Sequence, residues 1–141
     1  MQIYVYSRNA IRAAQPHEVP HIVISISSSA ADEAPLRKNE NCRGILRLAF
    51  PDADAPTDLF PESVLFSEAD AARIWSFVRE HQSAIERILI HCDAGVSRSA
   101  AVGAVLSKVF NGDDSEFFGG RYRPNARIYK MLLEWTEVRP K

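Results

Sequence analysis

The chain is poor in cysteine and histidine, with two cysteines and four histidines in 141 residues. Two cysteines, Cys42 and Cys92, are too few for a disulfide framework. With the histidines scattered along the chain, they also offer no zinc site of the usual ligand spacing. We therefore expect no structural metal. Thiol chemistry at one of the two cysteines is the possibility that this composition leaves open.

An excess of charge of either sign is also missing, because 17 basic residues stand against 18 acidic ones. This balance argues against a protein dedicated to nucleic acid or to a membrane surface. No apolar run approaches the roughly 18 residues of a membrane span, and the first ten residues lack the layout of a secretory signal. We expect a cytoplasmic protein with no nucleic-acid or membrane partner, and the sequence predicts no oligomeric state.

Buried strands and amphipathic helices alternate along the chain, without repeats or low-complexity stretches. The predicted strands are 2–6, 21–27, 44–50 and 87–92, and the polar stretch 27–44 is predicted to be a surface loop. The predicted helices are 7–14, 67–82, 98–110 and a last one that opens at Pro124–Asn125 and stops before Pro140. At this length one domain is the simplest organisation. We expect a single α/β domain with a mostly parallel central sheet flanked by helices on both faces.

One loop at the carboxyl edge of this sheet, where ligands bind in such folds, reads "HCDAGVSRS" (91–99). Its backbone is predicted to close into a cup whose N–H groups converge on a tetrahedral dianion. Cys92 lies at the base, beside a helix N-terminus and an arginine, which favours a nucleophilic thiolate. Arg98 can return over the loop and bind two phosphoryl oxygens. The predicted phosphate-binding residues are Asp93, Ala94, Gly95, Val96, Ser97 and Arg98. The alternative is that Cys92 is a small buried hydrophobe at a strand end.

The same loop resembles the H-C-x5-R-[ST] signature of cysteine-dependent protein tyrosine phosphatases, and its interior is most similar to their compact dual-specificity branch. The resemblance implies a tyrosine phosphatase-like fold, with residues 1–141 as one catalytic domain. It also implies phosphate ester hydrolysis through a phosphocysteine intermediate, without metal or cofactor. His91 is then expected to be buried and to orient the loop by hydrogen bonding, and Ser99 to assist departure of the thiolate.

A phosphatase of this kind needs a carboxyl group that protonates the leaving oxygen and later activates water. Three aspartates follow the strand 44–50, and "FPDADAP" resembles the W-P-D-x-G-x-P mobile loop of the same family. Phe50 stands in place of the tryptophan and Asp54 in place of the glycine. This match nominates Asp52 as the general acid, with Asp54 and Asp58 as alternatives. Each of these aspartates also suits a turn in a proline-rich loop.

A basic segment lies near the end of the chain, with no acid among its members Arg121, Arg123, Arg127 and Lys130. In the resembling family a Pro-Asn pair opens the last helix close to the phosphate loop. Asn125 would then support the site, and the basic residues would attract phosphorylated substrates. The alternative is a solvated face with Asn125 as an ordinary helix N-cap.

The loop also bears on the substrate, because relatives that act on phosphoinositides or RNA triphosphates tend to carry lysines inside it. Here Asp93 follows Cys92, and no lysine precedes Arg98. The expected substrate is a phosphorylated protein or peptide carrying phosphotyrosine, with phosphoserine and phosphothreonine left open. Two alternatives are a non-catalytic phosphate-binding module and a phosphatase of a non-protein ester. A disulfide between Cys42, in the polar loop, and Cys92 is a further idea, although nothing in the sequence brings the two together.

Overall fold

The computed structural model describes residues 1–14 and 17–138. The strands are β1 (Gln2–Tyr6), β2 (His21–Ser27), β3 (Cys42–Ala49) and β4 (Arg87–His91). The α-helices are α1 (Arg8–Ala13), α2 (Glu68–His81), α3 (Arg98–Asn111) and α4 (Ala126–Val138), with short 3₁₀ turns at Glu62–Val64, Gln82–Ala84 and Ser115–Phe118. All eight predicted elements are present, with ends that shift by one or two residues. The predicted stop of the last helix before Pro140 lies outside the described residues.

The four strands form one sheet in the order β1-β4-β2-β3, and every neighbouring pair is parallel. The prediction of a mostly parallel α/β sheet is therefore confirmed. β2 is buried along its whole length, as its apolar run "HIVISIS" predicts. Its carboxyl end lies between those of β4 and β3, so the loops that follow these three strands meet at one edge of the sheet.

Helices cover both faces of the sheet, but unequally. On one face, Ile22, Ile24 and Ile26 of β2 join a core cluster to which α2, α3 and α4 all contribute. Val23 points to the other face, as the alternation of a strand requires, and packs with Ile11 of α1. A short helix cannot cover that face alone, and the segment 28–41 completes the cover.

This segment was predicted as a surface loop, and it indeed forms neither helix nor strand. It is nevertheless fastened to the sheet. Ala34 is buried and its carbonyl accepts a hydrogen bond from Arg47 Nη1 at 2.8 Å. Arg8 Nη1 donates to the carbonyl of Asp32 at 2.8 Å. Two arginines therefore hold the segment against the domain, although most of its residues are exposed.

Cys42 is the first residue of β3 and not, as predicted, part of the preceding loop. In the strand register it lies level with His21, and His21 lies level with Arg87. Cys92 is five residues beyond Arg87, which at the rise of a strand is about 16 Å along the sheet. Since a disulfide requires Cα atoms within roughly 7 Å, these two cysteines do not pair, and both are free.

α3 follows the cysteine loop directly and is buried along most of its length. Its composition of small apolar residues allows it to lie close to β1, since a Cβ added to Gly103 would come within 2.7 Å of Val5 Cγ2. The N-terminus of this buried helix is thereby fixed at the carboxyl edge of the sheet. None of the helices in the described part of the chain is long and apolar enough to cross a membrane.

Candidate active site

The loops after β2, β3 and β4 meet at the carboxyl edge of the sheet. Ser28 follows β2, Phe50 follows β3 and Cys92 follows β4. The backbone N–H of Phe50 donates to the carbonyl of Ser27 at 3.0 Å, which continues the parallel pairing one step into the loops. The two loops singled out in the sequence, 50–56 and 91–99, are therefore neighbours, as predicted.

The loop after β4 folds around the Cys92 thiol, whose residue is only 2% exposed. The Gly95 backbone N–H points at Cys92 Sγ from 3.3 Å, and Ser99 Oγ lies 3.0 Å from the same sulfur. A thiolate can only accept hydrogen bonds, so both groups are placed to stabilise it. Sequence reasoning placed both residues beside the cysteine, and the structure brings all three together.

The base of this cup is attached to the connection between β1 and α1. Cys92 N donates to the carbonyl of Tyr6 at 3.4 Å, and Arg8 N donates to the carbonyl of Asp93 at 3.0 Å. Gly95 adopts a φ of +74°, and a Cβ there would lie 2.6 Å from the backbone nitrogen of Ser7. The contact is backbone against backbone, so only glycine fits this turn without displacing one of the two segments.

The Arg98 guanidinium spans the loops after all three strands while only 5% of the residue is exposed. Nη1 donates to the carbonyl of Phe50 at 2.9 Å and to Ser28 Oγ at 3.0 Å. Nη2 donates to Asp93 Oδ2 at 3.1 Å. Because Ser28 Oγ also donates to Asp93 Oδ2 at 3.3 Å, Ser28 and Asp93 lie together at the Nη end of the guanidinium.

Arg98 Nε is buried and has no hydrogen-bond partner among the described residues. A buried N–H without an acceptor is unfavourable by about 1–3 kcal/mol, so in a native protein such a group calls for a specific explanation. Asp93, Ser28 and the carbonyl of Phe50 contact the Nη atoms, so Nε is the nitrogen of the guanidinium that lacks an acceptor among the described residues. The Asp93 side chain thus orients the arginine, a role the sequence did not predict.

His91 is fully buried, and both ring nitrogens are within hydrogen-bond distance of a partner. Nδ1 lies 3.3 Å from the carbonyl of Cys92, and a carbonyl only accepts, so Nδ1 carries the hydrogen. Nε2 then accepts from Ser25 Oγ at 2.6 Å. Burial lowers the pKa of His91, although the bond to the Cys92 carbonyl acts in the opposite direction. The expectation of a buried, hydrogen-bonded histidine is confirmed, and its contacts fix the loop from below.

Asp52 is hydrogen-bonded to the cup. Its Oδ1 accepts from Ser97 Oγ at 2.8 Å and from Asn125 Nδ2 at 2.9 Å. An open pocket lies beside the cup, and both Asp52 and Asp54 line it. Asp58 lies in an exposed turn, which is closed by the Thr57 N–H and the Phe60 carbonyl at 2.9 Å. Of the three candidate acids, Asp52 is the one that the described contacts join to the cysteine loop.

The four basic residues near the chain end separate into different environments. Arg127 was expected to attract substrate, but its guanidinium is already engaged. It forms an ion pair with Glu62 at 2.9 Å and donates to the carbonyl of Phe66 at 2.9 Å. Arg123 lines the pocket that holds Asp52, and Arg121 lines a second pocket beside Gly95. Lys130 is exposed on α4. Of the four basic residues, Arg121 and Arg123 are the two that line pockets beside the cup, and we call these two the basic rim.

Sequence reasoning missed the residues that hold His91 and Arg98 from the neighbouring strands. Ser25 contacts His91, Ser28 contacts Arg98, and Arg47 Nη1 donates to Ser25 Oγ at 3.4 Å. One signal was present, because Ser25 interrupts the apolar run of a strand that is buried on both faces. A buried hydroxyl needs a partner, which points to a polar residue on an adjacent strand.

The chain matches known proteins by structure but not by sequence. No protein-family model and no curated protein matches it. Human DUSP28 matches with 19% identity over 96% of this chain and 92% of that chain, at a TM-score of 0.60. The human tyrosine phosphatase-like serine/threonine/tyrosine-interacting protein matches with 21% identity over 84% of this chain and 78% of that chain, at a TM-score of 0.55. PTPMT1 in complex with PI(5)P matches with 16% identity over 96% of this chain and 90% of that chain, at a TM-score of 0.56.

These structures establish the fold of the chain. It is the fold of the cysteine-dependent tyrosine phosphatases in their compact, dual-specificity form, as the cysteine loop predicted. The long coverage on both sides shows that the similarity extends over nearly the whole α/β domain and not over one motif.

Proposed function

We propose that the chain is a phosphatase that hydrolyses phosphate monoesters through a phosphocysteine intermediate, with a phosphorylated protein or peptide as substrate. The observation that carries this proposal is the arrangement at the base of the cup. A buried Cys92 thiol receives the Gly95 N–H and the Ser99 hydroxyl, while the buried Arg98 Nε–H has no acceptor among the described residues. A phosphoryl group above the sulfur would supply that acceptor.

In the first step the Cys92 thiolate attacks phosphorus, and the S–P bond forms as the bond to the ester oxygen breaks. The amides of the loop 93–98 and Arg98 stabilise the charge on the phosphoryl oxygens. Asp52 transfers its proton to the departing oxygen, so that the alcohol or phenol leaves neutral and Asp52 becomes a carboxylate.

In the second step water replaces the protein at phosphorus. The Asp52 carboxylate takes a proton from the attacking water, the P–S bond breaks, and inorganic phosphate is released. Ser99 Oγ, 3.0 Å from the sulfur, donates a hydrogen bond to the thiolate as it departs. The cycle restores the proton on Asp52 and the charge on Cys92, and requires no metal or cofactor.

The pocket beside Asp52 supports a substrate range that is wider than phosphotyrosine alone. It has a volume of about 370 Å³, and no aromatic residue is among the residues that line it, which are Asp52, Ala53, Asp54, Ser97, Arg123, Pro124, Asn125 and Ala126. A site selective for phosphotyrosine needs an aromatic wall along the ring. The second pocket, beside Gly95, is lined by Tyr6 and Tyr122, so phosphotyrosine stays the expected substrate. We propose that the open side at Asp52 admits phosphoserine and phosphothreonine as well, and that Asp93 at the cup disfavours polyanions.

The test is turnover of para-nitrophenyl phosphate in the presence of a chelator, followed by a panel of phosphopeptides and phosphoinositides. Turnover under chelation supports the phosphatase, whereas phosphate binding without turnover would show a binding module instead. If the enzyme prefers a phosphoinositide to every phosphopeptide, the proposed protein substrate is wrong and the substrate is a lipid. A cytoplasmic location and the extent of the catalytic domain over residues 1–141 stay predictions.

A further inference from the structure

Asn125, a residue that is only 6% exposed, contacts three parts of the site. Its side chain contacts α4 and Asp52, and its backbone N–H contacts the cup. Its Oδ1 accepts the backbone N–H of Ile128 at 3.0 Å, as the N-cap of α4. Because a backbone N–H can only donate, this contact fixes which end of the amide carries the hydrogens. Nδ2 must then be the atom that donates to Asp52 Oδ1 at 2.9 Å.

The same oxygen of Asp52 accepts from Ser97 Oγ at 2.8 Å. Ser97 belongs to the cup, and its carbonyl accepts the backbone N–H of Asn125 at 3.1 Å, so the two donors are fixed to each other. Asp52 Oδ1 therefore has two donors, while the contacts among described residues give Oδ2 none. A proton on Oδ1 would force the Ser97 hydroxyl to turn away and lose its donation.

We propose that Asn125 and Ser97 are positioning residues, which hold Asp52 by Oδ1 and leave Oδ2 as the oxygen that carries the proton for the leaving group. This inference rests on the proposed function. When the S–P bond forms and the ester bond breaks, the Oδ2 proton moves to the leaving oxygen, and the new carboxylate keeps both hydrogen bonds at Oδ1. The acid is thus aligned before substrate arrives, and its charge after transfer is already stabilised.

The test uses two aryl phosphates whose leaving groups differ in basicity. Para-nitrophenolate departs readily without a proton, whereas phenolate depends on the acid. Asn125→Ser keeps a cap oxygen for α4, because serine is as good an N-cap as asparagine, but its side chain is too short to reach Asp52. We expect kcat/KM to fall about tenfold more for phenyl phosphate than for para-nitrophenyl phosphate, the size of one lost hydrogen bond to a charged group.

Ser97→Ala removes the second donor from an independent element, and we expect the same selective loss. In an Asp52→Asn background neither substitution should change the ratio of the two substrates further, since no acid remains to be positioned. Gly112→Ala serves as a control for stability, because Gly112 lies beyond the opposite end of α3 from Arg98, with nothing within 4 Å of an added Cβ. It should leave the ratio unchanged.

Equal losses on both substrates, or a further loss in the Asp52→Asn background, would assign Asn125 and Ser97 to folding of the loops alone and overturn the inference. If the wild-type protein turns over neither aryl phosphate, the proposed phosphatase fails, and this inference fails with it. If the wild type turns over both aryl phosphates but the variants lose activity equally on the two, the positioning role is rejected and the proposed phosphatase activity still stands.

Discussion

Two glycines share one backbone conformation but not one environment, which allows the cup to be tested by a matched pair of alanine substitutions. Gly95 has a φ of +74° and Gly112 a φ of +77°. An added Cβ at Gly112 meets nothing within 4 Å, whereas at Gly95 it lies 2.6 Å from Ser7 N and 2.7 Å from the Tyr6 carbonyl carbon. Both substitutions place alanine at a similar positive φ, and only Gly95→Ala adds a steric clash between the cup and the β1–α1 connection.

The left-handed conformation alone disfavours alanine by about 1–2 kcal/mol, which is the loss we expect for Gly112→Ala. Gly95→Ala must also separate the two segments, which weakens the contacts of the cup at Tyr6 and at Cys92 Sγ. Each of these two hydrogen bonds contributes about 0.5–1.5 kcal/mol, so together with the left-handed strain the total loss should be about 2–5 kcal/mol. Because loop amides also move away from the phosphoryl oxygens, turnover should fall by about a hundredfold or more.

Urea unfolding of both variants measures the stability difference, and para-nitrophenyl phosphate turnover measures the effect on the site. The expected result is a modest stability loss with wild-type kcat for Gly112→Ala, and a larger loss in both quantities for Gly95→Ala. Equal stability losses, or full activity in Gly95→Ala, would show that the contact between the cup and the β1–α1 connection is unimportant and would refute the reasoning.

The remaining predictions concern the acid, the basic rim and the buried histidine. Asp52→Ala should lower kcat by about a hundredfold or more and remove the basic limb of the pH–rate profile, with a much smaller effect from Asp54→Ala; similar losses would reject the assignment. Arg121→Ala with Arg123→Ala should raise KM for a phosphopeptide at low salt but hardly for para-nitrophenyl phosphate, and an equal change for both substrates would return these arginines to a solvated face. Because burial lowers the pKa of His91, the unfolded chain binds a proton that the folded chain does not as the pH falls below about 6.5. Stability should therefore decrease in that direction, with His91 contributing at most about 1.4 kcal/mol per pH unit, and urea midpoints that do not change between pH 7 and 6 would contradict this.

The secondary structure and the cysteine cup could be predicted because their signals are local. An apolar strand, a glycine turn, an arginine and a buried helix follow one another within residues 87–111, and each signal reports on its neighbours in the chain. The same holds for the N-cap of α2, where Ser67 accepts from the Asp70 N–H as its sequence indicates.

The pairings across the site could not be predicted in this way, because they join residues far apart in the sequence. Arg127 is bound by Glu62, which is 65 positions away in the sequence, and Asn125 donates to Asp52, which is 73 positions away. The start of β3 at Cys42 has a similar cause, since that polar end is a strand only through its register with His21. Such contacts depend on the topology, and no periodicity in the local sequence records them.

In the proposed mechanism Cys92 becomes covalently phosphorylated during turnover. Rapid acid quenching of the enzyme with excess para-nitrophenyl phosphate, followed by mass spectrometry of the peptides, tests it most directly. The predicted result is a mass gain of one phosphoryl group on the peptide that contains Cys92, absent in Cys92→Ser, which should still bind phosphate or tungstate. Undiminished turnover by Cys92→Ser, or a phosphoryl group found only on another residue, would contradict it.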